Sequence, residues 1–180
     1  MAAGGGIGVH CRGPGDTVGA VDPRLADWFR LYGPGVFRRA RQLLGSDALA
    51  EEATQEVFIR AAKALDRYDP RAKPSTWLYR ITTNYCLNQI RDGARRRELL
   101  DARQEELVPG SAAYDPQRLI ALRDLLADAD EREASAAVAV FVDGMSHAEA
   151  AEILQVSRRT VGNLCDRFVA WARARLGAEE

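Results

Sequence analysis

The sequence predicts an all-α protein: two small helical units joined by an acidic linker. Three observations carry that reading. Apolar residues recur at helical spacing through most of the chain, and no stretch convincingly keeps the two-residue alternation of a half-buried strand. Helix starts (Asp22-Pro23, Ser46-Asp47, Ser146) and stops (Gly45, Gly144) punctuate the chain at ordinary helix lengths. Residues 144–161 read as two short helices joined by a tight turn, a helix-turn-helix.

Taken in order, residues 1–22 hold seven glycines and little that can pack, so residues 1–21 are expected to form a disordered tail. The first unit, 22–97, opens at Asp22-Pro23, where Asp can cap and Pro suits the first turn. Leu25, Trp28, Phe29, Leu31 and Tyr32 give this helix its apolar face. Gly33-Pro34-Gly35 is expected to interrupt it. A second helix, Val36 to Leu44, then carries Arg38, Arg39 and Arg41 on its wet side. Ser46 or Asp47 caps a third helix from Ala48 to about Leu65, with Ala53, Val57, Ala61 and Leu65 inward. Glu51, Glu52, Gln55 and Glu56 cluster near its start. Such charge stabilises a helix N-terminus by about 0.3–1 kcal/mol per residue; it can also dock a basic partner, and spacing alone favours the first role.

Residues 66–75 form a loop with two prolines. Ser75 or Thr76 is expected to cap a fourth helix, Trp77 to about Arg97. Trp77, Leu78, Ile81, Tyr85, Leu87 and Ile90 supply its apolar surface. Arg80, Thr83, Asn84, Asn88 and Arg91 lie around the other faces. Aromatics among cations and amides can stack bases and hold phosphates, although Trp77 reads better as core. Residues 98–116 form the linker. The second unit, 117–177, comprises a helix to Ala127, one from about Asp130 to Asp143, and the helix-turn-helix. Leu119, Leu122, Leu125, Leu126, Val138, Phe141 and Val142 are expected to bury against Ala151, Leu154, Val161 and Phe168.

Within the helix-turn-helix, Ser146 and Glu149 have the spacing of a capping box, and Ser157 can cap the second helix. Val161, Cys165, Phe168 and Ala172 share its buried stripe. Arg158, Arg159, Thr160, Asn163 and Arg167 fall largely on the other side. The residues at the start of such a helix reach base edges in the major groove, where Arg suits guanine and phosphate.

Charge is distributed unevenly. The whole chain is nearly neutral at -1, but residues 71–97 carry +6 and residues 158–175 carry +4, with -4 across residues 98–116 between them. Two basic blocks flanking an acidic spacer suit two contacts with a polyanion. Three widely spaced cysteines (Cys11, Cys86 and Cys165) lack metal-ligand spacing and fit a reducing, cytoplasmic setting. No secretory leader and no membrane-spanning run are expected. Neither His10 nor His147 belongs to a catalytic constellation, and no Gly-rich phosphate loop is present, so no enzyme, cofactor or metal site is expected.

Three stretches resemble region 2 of the sigma-70 superfamily of transcription initiation factors: Glu51-Glu52-Ala53-Thr54-Gln55-Glu56-Val57-Phe58-Ile59-Arg60-Ala61, Tyr68-Asp69-Pro70-Arg71, and Ser75-Thr76-Trp77-Leu78-Tyr79-Arg80-Ile81-Thr82-Thr83-Asn84. Residues 118–176 resemble region 4. The absence of a region 3 and the small size point to the extracytoplasmic-function (ECF) group. The resemblance implies that Glu52, Gln55 and Glu56 dock on the clamp helices of the polymerase β′ subunit, reversing the preference from spacing alone. It implies contact of the second unit with the β flap. It assigns capture of a flipped minus-10 base to the loop Arg71 to Ser75, with Lys73, and contacts with the opened strand to Arg80, Thr83, Asn84, Asn88 and Arg91. It assigns minus-35 recognition to Arg158, Arg159, Thr160, Asn163 and Arg167. The partners implied are core RNA polymerase, promoter DNA and an anti-sigma factor.

The chain departs from that pattern in places. Pro74 stands where Phe is usual before the Ser-Thr-Trp step, and Gln155 replaces the Gly of the turn. Gly162-Asn163-Leu164 replaces Lys-Ser-Arg, which removes one phosphate contact. These departures keep open a degenerate homologue that does not initiate transcription; the helix-turn-helix by itself also fits a regulator that never touches polymerase.

Overall fold

The computed structural model describes residues 22–100 and 116–177. The expected tail, most of the linker and Cys11 lie outside these residues. Among the described residues there are seven α-helices and no strand.

Helix α1 spans Pro23–Leu44. Asp22 caps it, its Oδ1 accepting from the Arg24 N–H at 2.9 Å. The expected break at Gly33-Pro34-Gly35 does not occur, and Pro34 lies inside a continuous helix. An interior proline costs roughly 3 kcal/mol. Burial on both sides of it offsets that cost: Leu25 before, and Val36, Ala40, Leu43 and Leu44 after, all join one core. Gly45 ends the helix in the left-handed region at φ 71°. Adding a Cβ there would bring it 2.6 Å from the Leu119 side chain, so Gly also permits close approach of the next unit.

Helix α2 spans Asp47–Lys63, capped by Ser46, and a 3-10 turn follows at Leu65–Arg67. Ala53, Val57 and Ala61 are fully buried, as the periodicity requires. Helix α3 spans Pro74–Leu100. It begins earlier than expected: Pro74 occupies the first turn, where its missing N–H is no loss, and Trp77 N–H bonds the Lys73 carbonyl at 3.2 Å. Ser75 and Thr76 are thus inside the helix rather than caps.

The second set comprises α4 (Pro116–Asp128), α5 (Glu131–Ala137), α6 (His147–Leu154) and α7 (Arg158–Gly177). Asp130 caps α5 by accepting from the Arg132 and Glu133 N–H groups. The end of α5 widens into a π turn, Val138–Val142, in which the Asp143 N–H reaches back five residues to the Val138 carbonyl. This accounts for one failed expectation. Val138 is buried, but Phe141 is 55% exposed. An extra residue per turn rotates position 141 off the face that a 3.6-residue period assigns it.

Helix α3 is the axis of the molecule. It packs on α1 and α2 and also on α4, α5 and α6. The core of α1–α3 continues into Leu126, Ala134, Val138 and Phe168 of the later helices. A second cluster, built from Ala136, Ala139, Ala150, Ala151, Val161, Leu164 and Cys165, holds the helix-turn-helix together. Leu164 therefore has a core role that a surface arginine cannot fill.

Candidate nucleic-acid interface

The loop between α2 and α3 is shaped by its own contacts. Asp69 accepts from the Arg71 backbone at 3.0 Å and grips its guanidinium, while Ala72 N–H bonds the Asp69 carbonyl at 2.9 Å. Tyr68 O–H closes the turn onto the Ala72 carbonyl. The Tyr68 ring packs between Trp28 and Trp77, with centroids at 5.0 and 5.1 Å. This aromatic cluster anchors a loop whose tip presents cations, with the Arg71 side chain 91% exposed.

Arg71, Lys73 and Arg80 line one recess of about 490 Å³, together with Arg67, Thr76 and Trp77. Ser75 is exposed beside it. Glu152 of α6 and Gln155, in the turn after it, also line this recess. Further along α3, Asn88 and Arg91 line a second recess of about 510 Å³ with Arg60, Tyr85, Arg95 and Glu131. Arg91 also bonds Asn88 Oδ1 at 3.3 Å. Asn84 is exposed. Thr83 is not at this surface: it is 3% exposed, donates to the Tyr79 carbonyl at 2.9 Å and accepts from Arg39 Nε at 3.0 Å.

On α2, Glu51, Glu52 and Gln55 are exposed. Glu52, Gln55 and Glu56 line a depression of about 330 Å³ with Ile59, Arg60 and Tyr85. Glu56 accepts from Arg60 Nε at 2.7 Å, and the Arg60 guanidinium lies 4.8 Å from the Tyr85 ring centroid. Burial, then the nearby Glu52 and Glu56 carboxylates, raise the Tyr85 hydroxyl above its usual pKa. Ile59, 47% exposed, adds an apolar contact beside the acids. An anionic rim around an exposed aliphatic side chain is suited to a basic amphipathic partner.

In the helix-turn-helix, the Ser146–Glu149 capping box is complete. The Ser146 hydroxyl and N–H both donate to the Glu149 carboxylate and hold it below the usual carboxylate range. Gln155 makes the turn at φ 56°, the left-handed position for which Gly is the easier residue. Ser157 caps α7, accepting from the Thr160 N–H at 3.0 Å. Val161, Cys165, Phe168 and Ala172 are buried, and Arg158, Arg159 and Asn163 are exposed in the first turns. Arg167 is exposed too, but pairs with Glu133 of α5 at 2.9 Å.

Sequence reasoning missed one set of residues. Arg39, expected on the wet side of its helix, is buried and bonded to Tyr79, Thr83 and Asp143. The signal was present: position 39 falls between Val36 and Leu43 at helical spacing, so it shares their stripe. Burial also raises the Tyr79 hydroxyl well above its usual pKa and pushes the Cys86 thiol up to about 12. Among the described residues, no helix is long and apolar enough to cross a membrane.

The Sigma-70 region 2 family matches residues 28–96. The chain is 32% identical over 148 residues to the ECF RNA polymerase sigma factor SigE of Mycolicibacterium smegmatis, covering 79% of this chain and 57% of that protein. It is 30% identical over 149 residues to the ECF sigma factor SigM of Mycobacterium tuberculosis, covering 82% and 72%. With SigW of Bacillus subtilis, 40% identical over 67 residues, the match spans only 36% of the relative's length. The fold resembles that of the sigma factor RpoE crystallised with the anti-sigma factor NepR from Bartonella quintana. That similarity has a TM-score of 0.54 at 19% identity, over 88% of this chain and all of that one.

Proposed function

The chain belongs to the ECF group of RNA polymerase sigma factors, and from that premise we propose that it is a transcription initiation factor. It binds core RNA polymerase, directs it to specific promoters and assists their melting. The chain spans little more than half of SigE, so its activity is inferred from its own residues as well as from kinship.

One observation carries the reading: an aromatic-anchored loop presents Arg71 and Lys73 beside Trp77 and Arg80 at one recess. That arrangement can receive an unstacked base with its phosphates. Unstacking costs a few kcal/mol, which stacking and charge contacts in the recess must offset. Ser75, Asn84, Asn88 and Arg91 extend this track along α3, and Thr83 supports the helix from inside. Arg158, Arg159, Thr160, Asn163 and Arg167 meet the minus-35 duplex. Residues 22–97 and 117–177 act as two separate contact modules, joined by the linker at 98–116. Two modest contacts on one chain gain affinity through effective concentration. Glu52, Gln55 and Glu56 form the docking face for the β′ clamp, and the second module meets the β flap. The protein works in the cytoplasm, catalyses no reaction of its own, and is held in check by an anti-sigma factor, the partner with which RpoE was crystallised.

Run-off transcription with purified core enzyme and a promoter library tests the reading. Discrete transcripts that depend on the added chain are expected. A well-folded chain that yields none from any promoter overturns it.

A further inference from the structure

The helix-turn-helix carries a side chain that the duplex contacts described above leave unused. His147 is the first residue of α6 and is exposed. Its ring lies against α7 at Gly162, where an added Cβ would stand 3.7 Å from both Cε1 and Nδ1.

The two helix starts that set this contact are fixed. The Ser146–Glu149 capping box is complete, and the Met145 N–H bonds the Ala139 carbonyl at 3.1 Å, so α6 begins at a defined point. Ser157 caps α7, and Val161 and Leu164, on either side of Gly162, are buried in the cluster that joins the helices. The ring is thus placed by the packing of two helices. Among the described residues, none engages its nitrogens by a hydrogen bond. An imidazole keeps at least one N–H donor in either protonation state.

Gly162 follows Arg158 by four residues and Arg159 by three, so it shares their side of α7. Both arginines are exposed. With a recognition helix in the major groove, the first helix of the pair crosses the sugar-phosphate backbone. A donor that projects from the start of α6 onto this flank of α7 therefore meets a phosphate oxygen rather than a base edge. Gly162 is also the position at which the sigma-70 pattern carries Lys. A Cβ fits there, but the rest of a lysine side chain would run through the place of the ring. We propose that His147 is a duplex-binding residue: lodged over Gly162, its imidazole donates to a backbone phosphate beside the groove that holds α7, and so makes the contact that a long cation at position 162 would otherwise make. The proposal rests on the entry of α7 into the major groove.

The test uses the full chain and a fluorescein-labelled duplex of mixed sequence, with Kd read by fluorescence anisotropy. His147→Ala should weaken binding by roughly tenfold, the worth of one hydrogen bond to a charged group. The factor should be the same on duplexes of other sequence, because phosphates carry no sequence information. His147→Gln, which keeps an N–H donor, should restore most of the loss. In a Gly162→Lys background α7 supplies the cation itself, so His147→Ala should cost little there; two groups that serve one contact are not additive. The Cε1–H NMR signal of His147, assigned by its absence from His147→Gln, should move when duplex is added to the wild type. Circular dichroism verifies that the variants stay helical; if His147→Ala does not, the wild-type signal decides, and a signal that stays put overturns the contact. Equal Kd in wild type and His147→Ala, with Arg158→Ala weakened, overturns the role of His147 alone. Equal Kd in all three overturns the placement of α7 in the groove, and the proposal with it. A loss confined to one duplex sequence overturns the phosphate assignment. Equal losses from His147→Ala in both backgrounds overturn the replacement of a cation at position 162.

Discussion

Gly162 stands in the interior of α7 with nothing structural to require it. A Cβ added there would meet the His147 ring at 3.7 Å, an ordinary van der Waals distance, and the residue has no positive φ. Gly within a helix is less favourable than Ala by about 0.5–1 kcal/mol. Gly162→Ala should therefore raise stability by about that amount, read as a higher urea midpoint at unchanged slope. A lower midpoint would mean that the His147 contact is tighter than it looks. The same scale exposes what patterns cannot supply. Arg39 lies on the apolar stripe of α1, yet the partner that makes its burial tolerable, Asp143, is more than a hundred residues away. No local rule links the two. Thr83 is likewise assigned to a polar face by spacing and drawn inward by Arg39.

At the scale of elements, most starts were legible because they depend on neighbours in sequence: Asp22, Ser46, Ser146 and Ser157 cap as their positions require, whereas α3 begins at Pro74, ahead of the expected caps Ser75 and Thr76. Continuity was less so. Pro34 breaks a helix in isolation, but α1 is held from both sides by one core, and that core is tertiary. The π turn at Val138–Val142 escaped for a related reason, since a change of period midway through a helix leaves no composition signal and displaces Phe141. Helix α2 presents its acids on a surface whose charge its own N-terminus only partly needs: Gln55 and Glu56 lie beyond the first turn, where the dipole effect has faded. Glu56 is paired with Arg60 within the helix, and Gln55 stands exposed for a partner. Glu52→Ala with Gln55→Ala should remove retention of the chain by immobilised core polymerase while leaving its helical circular dichroism intact. Undiminished retention would place the docking face elsewhere.

At the scale of the whole molecule, a net charge of -1 leaves no strong long-range field to steer the chain toward DNA. Contact with the duplex must rest on local cation clusters, and the first turns of α7 expose two such cations, Arg158 and Arg159. Among the described residues, neither has an ion-pair partner of the kind that ties Arg167 to Glu133. Each should therefore displace a counterion on binding, and the logarithm of affinity should fall with the logarithm of salt by about 0.9 per cation engaged. Arg158→Ala should weaken binding to promoter duplex and lower the salt slope by about one. Arg167→Ala should lower it by less, because releasing Glu133 consumes part of what the contact returns. Fluorescence anisotropy across a salt series measures both slopes. Equal slopes in wild type and Arg158→Ala would show that α7 meets the groove through other residues.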